Sequence, residues 1–203
     1  MFDFNNLSGV NEMKTNESEG HPDANLPNLS EENHTFLLNV AREAIINHVK
    51  GNRYSPPHYT DEKLKQNFGA FVTLKIRGQL RGCIGNLESD YPLPENVAEL
   101  AVKSATMDPR FPPIGPAEVD HLEIEISILG PLVQVRNIEE IVIGRDGLVI
   151  EMAGRHGLLL PQVATEHGLD VKEFLAQTCL KAMLAPDSWK RGANIFRFAA
   201  EVF

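Results

Sequence analysis

Cysteine, tryptophan, basic charge and long apolar runs are all scarce in this chain of 203 residues. The only two cysteines, Cys83 and Cys179, lie far apart, and neither has a second thiol in a CxxC pair. That excludes a thioredoxin-like dithiol and a zinc site of the usual spacing. In a reducing cytoplasm both are expected as free thiols. No run approaches the roughly 20 apolar residues that span a bilayer. The N-terminus lacks the basic and apolar regions of a secretory signal, so a cytoplasmic, membrane-free protein is expected. Lys and Arg number 19 against 28 Asp and Glu, a net charge of -9. Phosphate backbones need a basic face, so no nucleic-acid partner is expected. Neither a Walker loop nor a GxGxxG turn, HExxH pair or GxSxG elbow is present. His34, His48, His58, His121 and His167 show no ligand-like spacing. No cofactor and no metal are therefore expected.

What is present divides the chain. Residues 1–33 hold seven Asn, seven acidic residues and one Lys, with sparse apolar residues of no period. They read as a disordered acidic leader, unable to bury enough surface to offset ordering entropy. Residues 34–203 read as one folded domain, for which about 150 residues is an ordinary size. Phe36, Leu37, Val40, Ala41, Ala44 and Ile45 follow helical spacing after Ser30, a suitable N-cap, and Gly51 is a stop. Ala70, Val72, Leu74 and Ile76 alternate as a strand, Gly78-Gln79 suits a two-residue turn, and residues 80–84 form the return strand. A helix is predicted over residues 93–106, opened by Pro94 and ended before Pro109. Leu122, Ile124, Ile126 and Ile128 mark a half-buried strand. Asp146-Gly147 reads as a turn, with short strands over 148–152 and 158–160 around a Gly154–157 loop. Helices follow near 161–167 and over 171–184, the second burying Phe174, Leu175, Cys179 or Leu180, and Met183. The last strand puts Phe196, Phe198, Ala200 and Val202 on one face. Hairpins and interspersed helices predict the α+β class, with a mainly antiparallel sheet packed against helices.

The densest candidate site is the run of residues 80–85, LRGCIG. Strand parity puts Arg81 and Cys83 on one face, and Gly82 and Gly85 flank the cysteine. Glycine in a strand leaves room for a close backbone or ligand. A neighbouring cation favours the reactive thiolate, so Cys83 is a candidate nucleophile and Arg81 its activator. The plainer reading is a small thiol packed in a tight sheet beside a structural ion pair. A second candidate is the proline-stiffened loop 108–113, DPRFPP, where Arg110 can grip a carboxylate or phosphate and Asp108 can pair with a cation. The plainer alternative there is a structural salt bridge with Phe111 plugging the core. His156, in the Gly154–157 loop, is a candidate acid or base near neutral pH. Gln162, at a helix start, is a candidate ligand contact or helix cap, and Trp189 a core-edge anchor.

These motifs occur together and in order: FVTL at 71–74, LRGCIG, DPRFPP, LEIEI at 122–126, GLLLPQV at 157–163, PDSW at 186–189 and FRFAAEVF at 196–203. In this the chain resembles the AMMECR family over about residues 36–203. It is most similar to the prokaryotic branch called AmmeMemoRadiSam system protein A. Small departures fall at Gly144-Arg145-Asp146-Gly147-Leu148 and Ala153-Gly154-Arg155. The resemblance implies residues 34–203 as an AMMECR domain, with a larger and a smaller subdomain and LRGCIG at a cleft between them. It implies as partners a Memo-like protein and a radical S-adenosylmethionine protein. The radical chemistry would be the partner's, since the cluster motif is missing here. Two functions follow as expectations. One is a cysteine-dependent enzyme acting on an anionic substrate, with Cys83 and Arg81 catalytic and Gly82, Gly85, Asp108, Arg110, His156 and Gln162 binding. The other is a non-catalytic module that binds a small anion or a protein partner.

Overall fold

The structure, a computed structural model, describes residues 26–203. The leader expected over residues 1–33 lies outside the described residues as far as residue 25. Beyond that, the Leu29 N–H donates to Glu201 at 2.8 Å, and Ser30 caps the first helix by accepting the Asn33 N–H. The chain forms two compact units, a larger one of Pro27–Leu129 with Glu201–Phe203, and a smaller one of Gly130–Ala200. The strand pairings of each unit are antiparallel and its helices lie between strands, which is the α+β class expected. Among the described residues no helix is long and apolar enough to cross a membrane.

The larger unit contains α1 (Glu31–Val49), β1 (Ala70–Ile76), β2 (Gln79–Asn86), α2 (Leu93–Thr106), α3 (Pro116–Val119) and β3 (Glu123–Leu129). β1 lies between β2 and β3. Val72, Leu74, Ile126 and Ile128 share a core with Leu37, Val40 and Ile45 of α1 and Val97, Leu100 and Ala101 of α2. The helical and alternating spacings of the sequence meet in this one cluster, whose burial is the main stabilising term. The hairpin turn sits one residue earlier than expected. Ile76 pairs with Gln79, so the turn residues are Arg77 and Gly78, at φ +53° and +72°. Two positive φ values match the right-handed twist of the flanking strands, a demand that overrides the preference for glycine first. α3, opened by Pro116, spans four residues, too few to show a helical period in the sequence.

The smaller unit contains β4 (Val133–Gln134), β5 (Asp146–Met152), β6 (Arg155–Leu159), α4 (Pro161–Glu166), α5 (Val171–Lys181) and β7 (Asn194–Val202), whose end joins the larger unit. β7 pairs with β4 and β5, and β5 pairs with β6. Leu148, Ile150, Phe174, Leu175, Cys179 and Ile195 form its core. Three expectations are corrected here. Asp146-Gly147 is the start of β5, not a turn. Asp146 is fully buried, accepting the Val142 N–H and both arms of the Arg145 guanidinium, while Gly147 lies where a methyl group would overlap the Phe198 ring. The Gly154–157 loop is instead a two-residue turn, Ala153-Gly154, so Arg155, His156 and Gly157 belong to β6. Met183 is 67% exposed at φ +56°, because α5 stops at Lys181, and Cys179 rather than Leu180 faces the core.

Candidate functional site

The register of β1 and β2 slips inside the LRGCIG run. Lys75 pairs with Leu80 but Leu74 pairs with Gly82, so Arg81 is the extra residue of a β-bulge. Strand parity cannot be carried across a bulge, and the two sides of this one have different neighbours. Leu80 is exposed at 41%. Gly82 is buried under α2, where a methyl group would overlap the Ser104 carbonyl. Gly85 lies under the Phe71 ring, which a methyl group would strike. The two glycines of the motif thus let a helix and an aromatic ring lie directly on the strand.

Side chains of α2 and the following loop hold β2 in place. The Ser104 hydroxyl accepts the Ile84 N–H at 2.9 Å and donates to the Val72 carbonyl at 2.7 Å, bridging two residues opposite each other in register. Asn96 does similar work further along, bonded to Asn86 and the Phe68 carbonyl. The Asp108 carboxylate accepts the Cys83 N–H at 2.9 Å. On the side-chain level Cys83 is half-buried, in no disulfide, and its Sγ lies 3.3 Å from Thr73 Oγ1. Cys179 is fully buried in the other unit, where burial pushes its thiol up.

The two arginines are held differently. Arg81 donates through Nε and Nη2 to Glu118 at 2.8 and 3.1 Å, and through Nη1 to the Pro112 carbonyl at 2.8 Å. The Arg81 bonds to Glu118, helped by the Gly115 N–H, hold the Glu118 carboxyl below its usual value. Arg110 donates through Nε and Nη2 to Asp108 at 2.9 and 2.6 Å. Burial alone would push the Asp108 carboxyl up. The bonds from the Arg110 side chain and from the Cys83 and Arg110 N–H groups outweigh it and bring the carboxyl down to about 2. Those Asp108 bonds in turn raise Arg110, against burial, and the Cys83 sulfur adds a smaller contribution of the same sign. Phe111 packs beside both guanidinium groups, at 5.8 Å from Arg81 and 5.5 Å from Arg110.

Of the residues singled out in the sequence, Arg81, Gly82, Cys83, Gly85, Asp108 and Arg110 fall in the larger unit. His156 and Gln162 fall in the smaller. His156 is half-buried on β6, opposite Glu151. Gln162 is the second residue of α4, and its buried Oε1 has no hydrogen-bond partner among the described residues. Thr73 and Glu118 went unnoticed in the sequence. A correct hairpin register would have found Thr73, which is the cross-strand partner of Cys83. Glu118 carries a weaker signal, an acid at the third position of a proline-opened turn. Among the described residues no group of three or more His, Cys, Asp and Glu could hold a metal ion.

Comparison with known proteins places this geometry in a family. The AMMECR1 family profile matches residues 38–203. Protein MJ0810 of Methanocaldococcus jannaschii is 45% identical over 184 residues, covering 86% of this chain and 91% of its own. Protein TK0174 of Thermococcus kodakarensis is 44% identical over 180 residues, covering 83% and 88%. The crystal structure of the uncharacterised protein PH0010 of Pyrococcus horikoshii is similar at a TM-score of 0.82 and 41% identity, covering 86% of this chain and 92% of that one.

Proposed function

This chain belongs to the AMMECR1 family, and on that premise we propose that it works through a cysteine-centred site for a small anionic substrate. Cys83 is the nucleophile, Arg110 holds the anion, and Asp108 positions both. The observation that carries this reading is the shared carboxylate. One Asp108 oxygen receives both the Cys83 N–H and Arg110 Nη2, so the cysteine backbone and the cation are fixed to a single anchor. The Arg110 guanidinium favours the thiolate, the form that attacks, and does so against the Asp108 carboxylate bonded to the Cys83 N–H. Arg81, tied to Glu118 and Pro112, positions the Phe111 loop instead of contacting substrate. We further propose that the protein acts beside a Memo-like protein and a radical S-adenosylmethionine protein, the partners that its motif set implies.

The test is the rate of Cys83 alkylation by iodoacetamide against pH, in a Cys179→Ser background with the urea-unfolded chain as reference. The expected folded profile titrates below the roughly 8.5 of a free thiol. Arg110→Gln should move it back up. A folded thiol that titrates at or above the unfolded value refutes the nucleophile.

A second reading, a binding module without catalysis, is favoured by one observation. Asp108, at about 2, stays ionised near neutral pH and is too weak a base to take the thiol proton there. On that reading Cys83→Ser leaves complex formation with the Memo-like protein intact, whereas Arg81→Ala abolishes it.

A further inference from the structure

We propose that the ligand held by Arg110 is recognised through a carboxylate and not through a phosphate; this rests on the site reading above and names its substrate class. A guanidinium has two edges that can take a planar anion in a fork. For Arg110 the side edge, Nε with Nη2, is filled by Asp108. The end edge, Nη1 with the second Nη2 hydrogen, has no hydrogen-bond partner among the described residues, and the side chain is 37% exposed. Arg81 is less available: Glu118 takes its side edge, the Pro112 carbonyl takes an Nη1 hydrogen, and its side chain is 14% exposed. Arg110 is thus the one of the two with the more open donor pair, and Asp108 holds that pair in a fixed plane.

Charge decides between the two anions. The cluster holds two guanidinium groups and two carboxylates, Arg81 with Glu118 and Arg110 with Asp108, so its formal charges cancel. A phosphate dianion brought to the end edge meets one cation already neutralised by a carboxylate on its far side. Sites that hold phosphate supply several donors of uncompensated positive charge. A carboxylate monoanion needs only the planar fork. The Phe111 ring beside both guanidinium groups offers an apolar wall for the carbon body of such an acid.

The experiment compares two alkylating reagents that differ only in this group. Iodoacetate carries a carboxylate and iodoacetamide a neutral amide. In both, the Cys83 thiolate forms a carbon–sulfur bond while the carbon–iodine bond breaks and iodide leaves; the thiol proton goes to buffer. The probe protein is the full chain with Cys179→Ser, and the same chain unfolded in urea gives the intrinsic ratio of the two rates. The folded protein is expected to raise the iodoacetate-to-iodoacetamide ratio on the order of tenfold over that reference, the effect of one charge-assisted fork. Arg110→Gln returns the ratio to the unfolded value, and so does Arg110→Lys, which keeps the charge but not the fork. Far-ultraviolet circular dichroism checks that both variants fold. A ratio equal to the unfolded one, or one that survives Arg110→Lys, overturns the carboxylate fork.

A second measurement does not need a reactive thiol. The Arg110 Nε resonance is followed by nitrogen-15 NMR in Cys83→Ser protein, titrated at constant ionic strength with succinate and with inorganic phosphate. A tripeptide with a free C-terminus and its C-terminal amide run alongside, to separate a small acid from a peptide end. A saturable shift with a carboxylate and none with phosphate supports the inference. A shift with phosphate alone, or with neither anion, overturns it. Slow alkylation by both reagents together with a succinate shift removes the nucleophile and leaves the carboxylate site standing.

Discussion

Replacing Asp108 by asparagine measures how much of the larger unit one carboxylate holds together. Its side chain is 3% exposed, so water screens its bonds little. Folding lowers its carboxyl from 3.8 to about 2, through the Arg110 and Cys83 hydrogen bonds that outweigh burial. A shift of that size corresponds to about 2 kcal/mol in favour of the folded, ionised form. Because the folded value lies below the unfolded one, this stability is fully present above the unfolded value. It is lost as pH falls from 3.8 toward 2. Asparagine removes the charge at every pH. Its amide also presents a donor at one end, leaving either Cys83 N–H or Arg110 without an acceptor, for a further cost of about 1–3 kcal/mol. The variant is therefore expected to be about 3–5 kcal/mol less stable than wild type at pH 7. The difference should stay constant down to about pH 5 and narrow by about 2 kcal/mol toward pH 2, as the wild-type carboxyl takes up its proton. The only tryptophan, Trp189, sits in the smaller unit, so its fluorescence reports on the wrong core. Urea unfolding is better followed by amide exchange of β1 and β2 residues, at pH 7, 5, 4 and 2.5. A variant within 0.5 kcal/mol of wild type at pH 7 refutes the reasoning, as does a difference that does not narrow in acid.

Two further substitutions test the scaffold. Gly82→Ala drives a methyl group into the Ser104 carbonyl and pushes α2 off the sheet. The expected loss is about 3 kcal/mol, the upper end of overpacking costs, read as a lower urea midpoint in the same amides. Arg77→Asn replaces an exposed residue at φ +53° by one that tolerates this conformation, giving the Asn-Gly pair favoured in such turns. It should raise stability by about 1 kcal/mol, seen as a higher melting temperature by circular dichroism.

The elements themselves were largely legible. α2 begins and ends where Pro94 and Pro109 require, and α1 starts from the Ser30 cap. The apolar spacings of α1, β1 and β3 meet in one core. Turn positions were less legible, because a two-residue turn is selected by strand twist and register, which local composition reports only indirectly. Asp146-Gly147 shows the limit: the same dipeptide that signals a turn serves here as a buried charge and a ring contact at a strand start.

The site itself turned on a feature that no local pattern encodes. Read as a regular strand, LRGCIG puts Arg81 beside Cys83. The bulge at Arg81 breaks that alternation, and Arg81 goes to Glu118 and Pro112. The cation linked to Cys83 is instead Arg110, 27 positions along, through an aspartate that accepts from the Cys83 N–H and the guanidinium alike. Sequence distance hides that link, since it depends on α2 returning the chain to the β2 edge. Once the bulge is known the rest follows from chemistry. A buried aspartate beside a strand amide takes donors, the next loop supplies a guanidinium, and the guanidinium keeps one edge free. The glycines of the motif belong to the same logic. Gly82 brings α2 close enough for Ser104 and Asp108 to reach β2 at all, so the conspicuous LRGCIG run and the distant DPRFPP run form one structure. A substitution at Gly82 that displaced α2 would uncouple Arg110 from Cys83 without touching either residue, and should abolish any preference of Cys83 for iodoacetate over iodoacetamide before it abolishes folding.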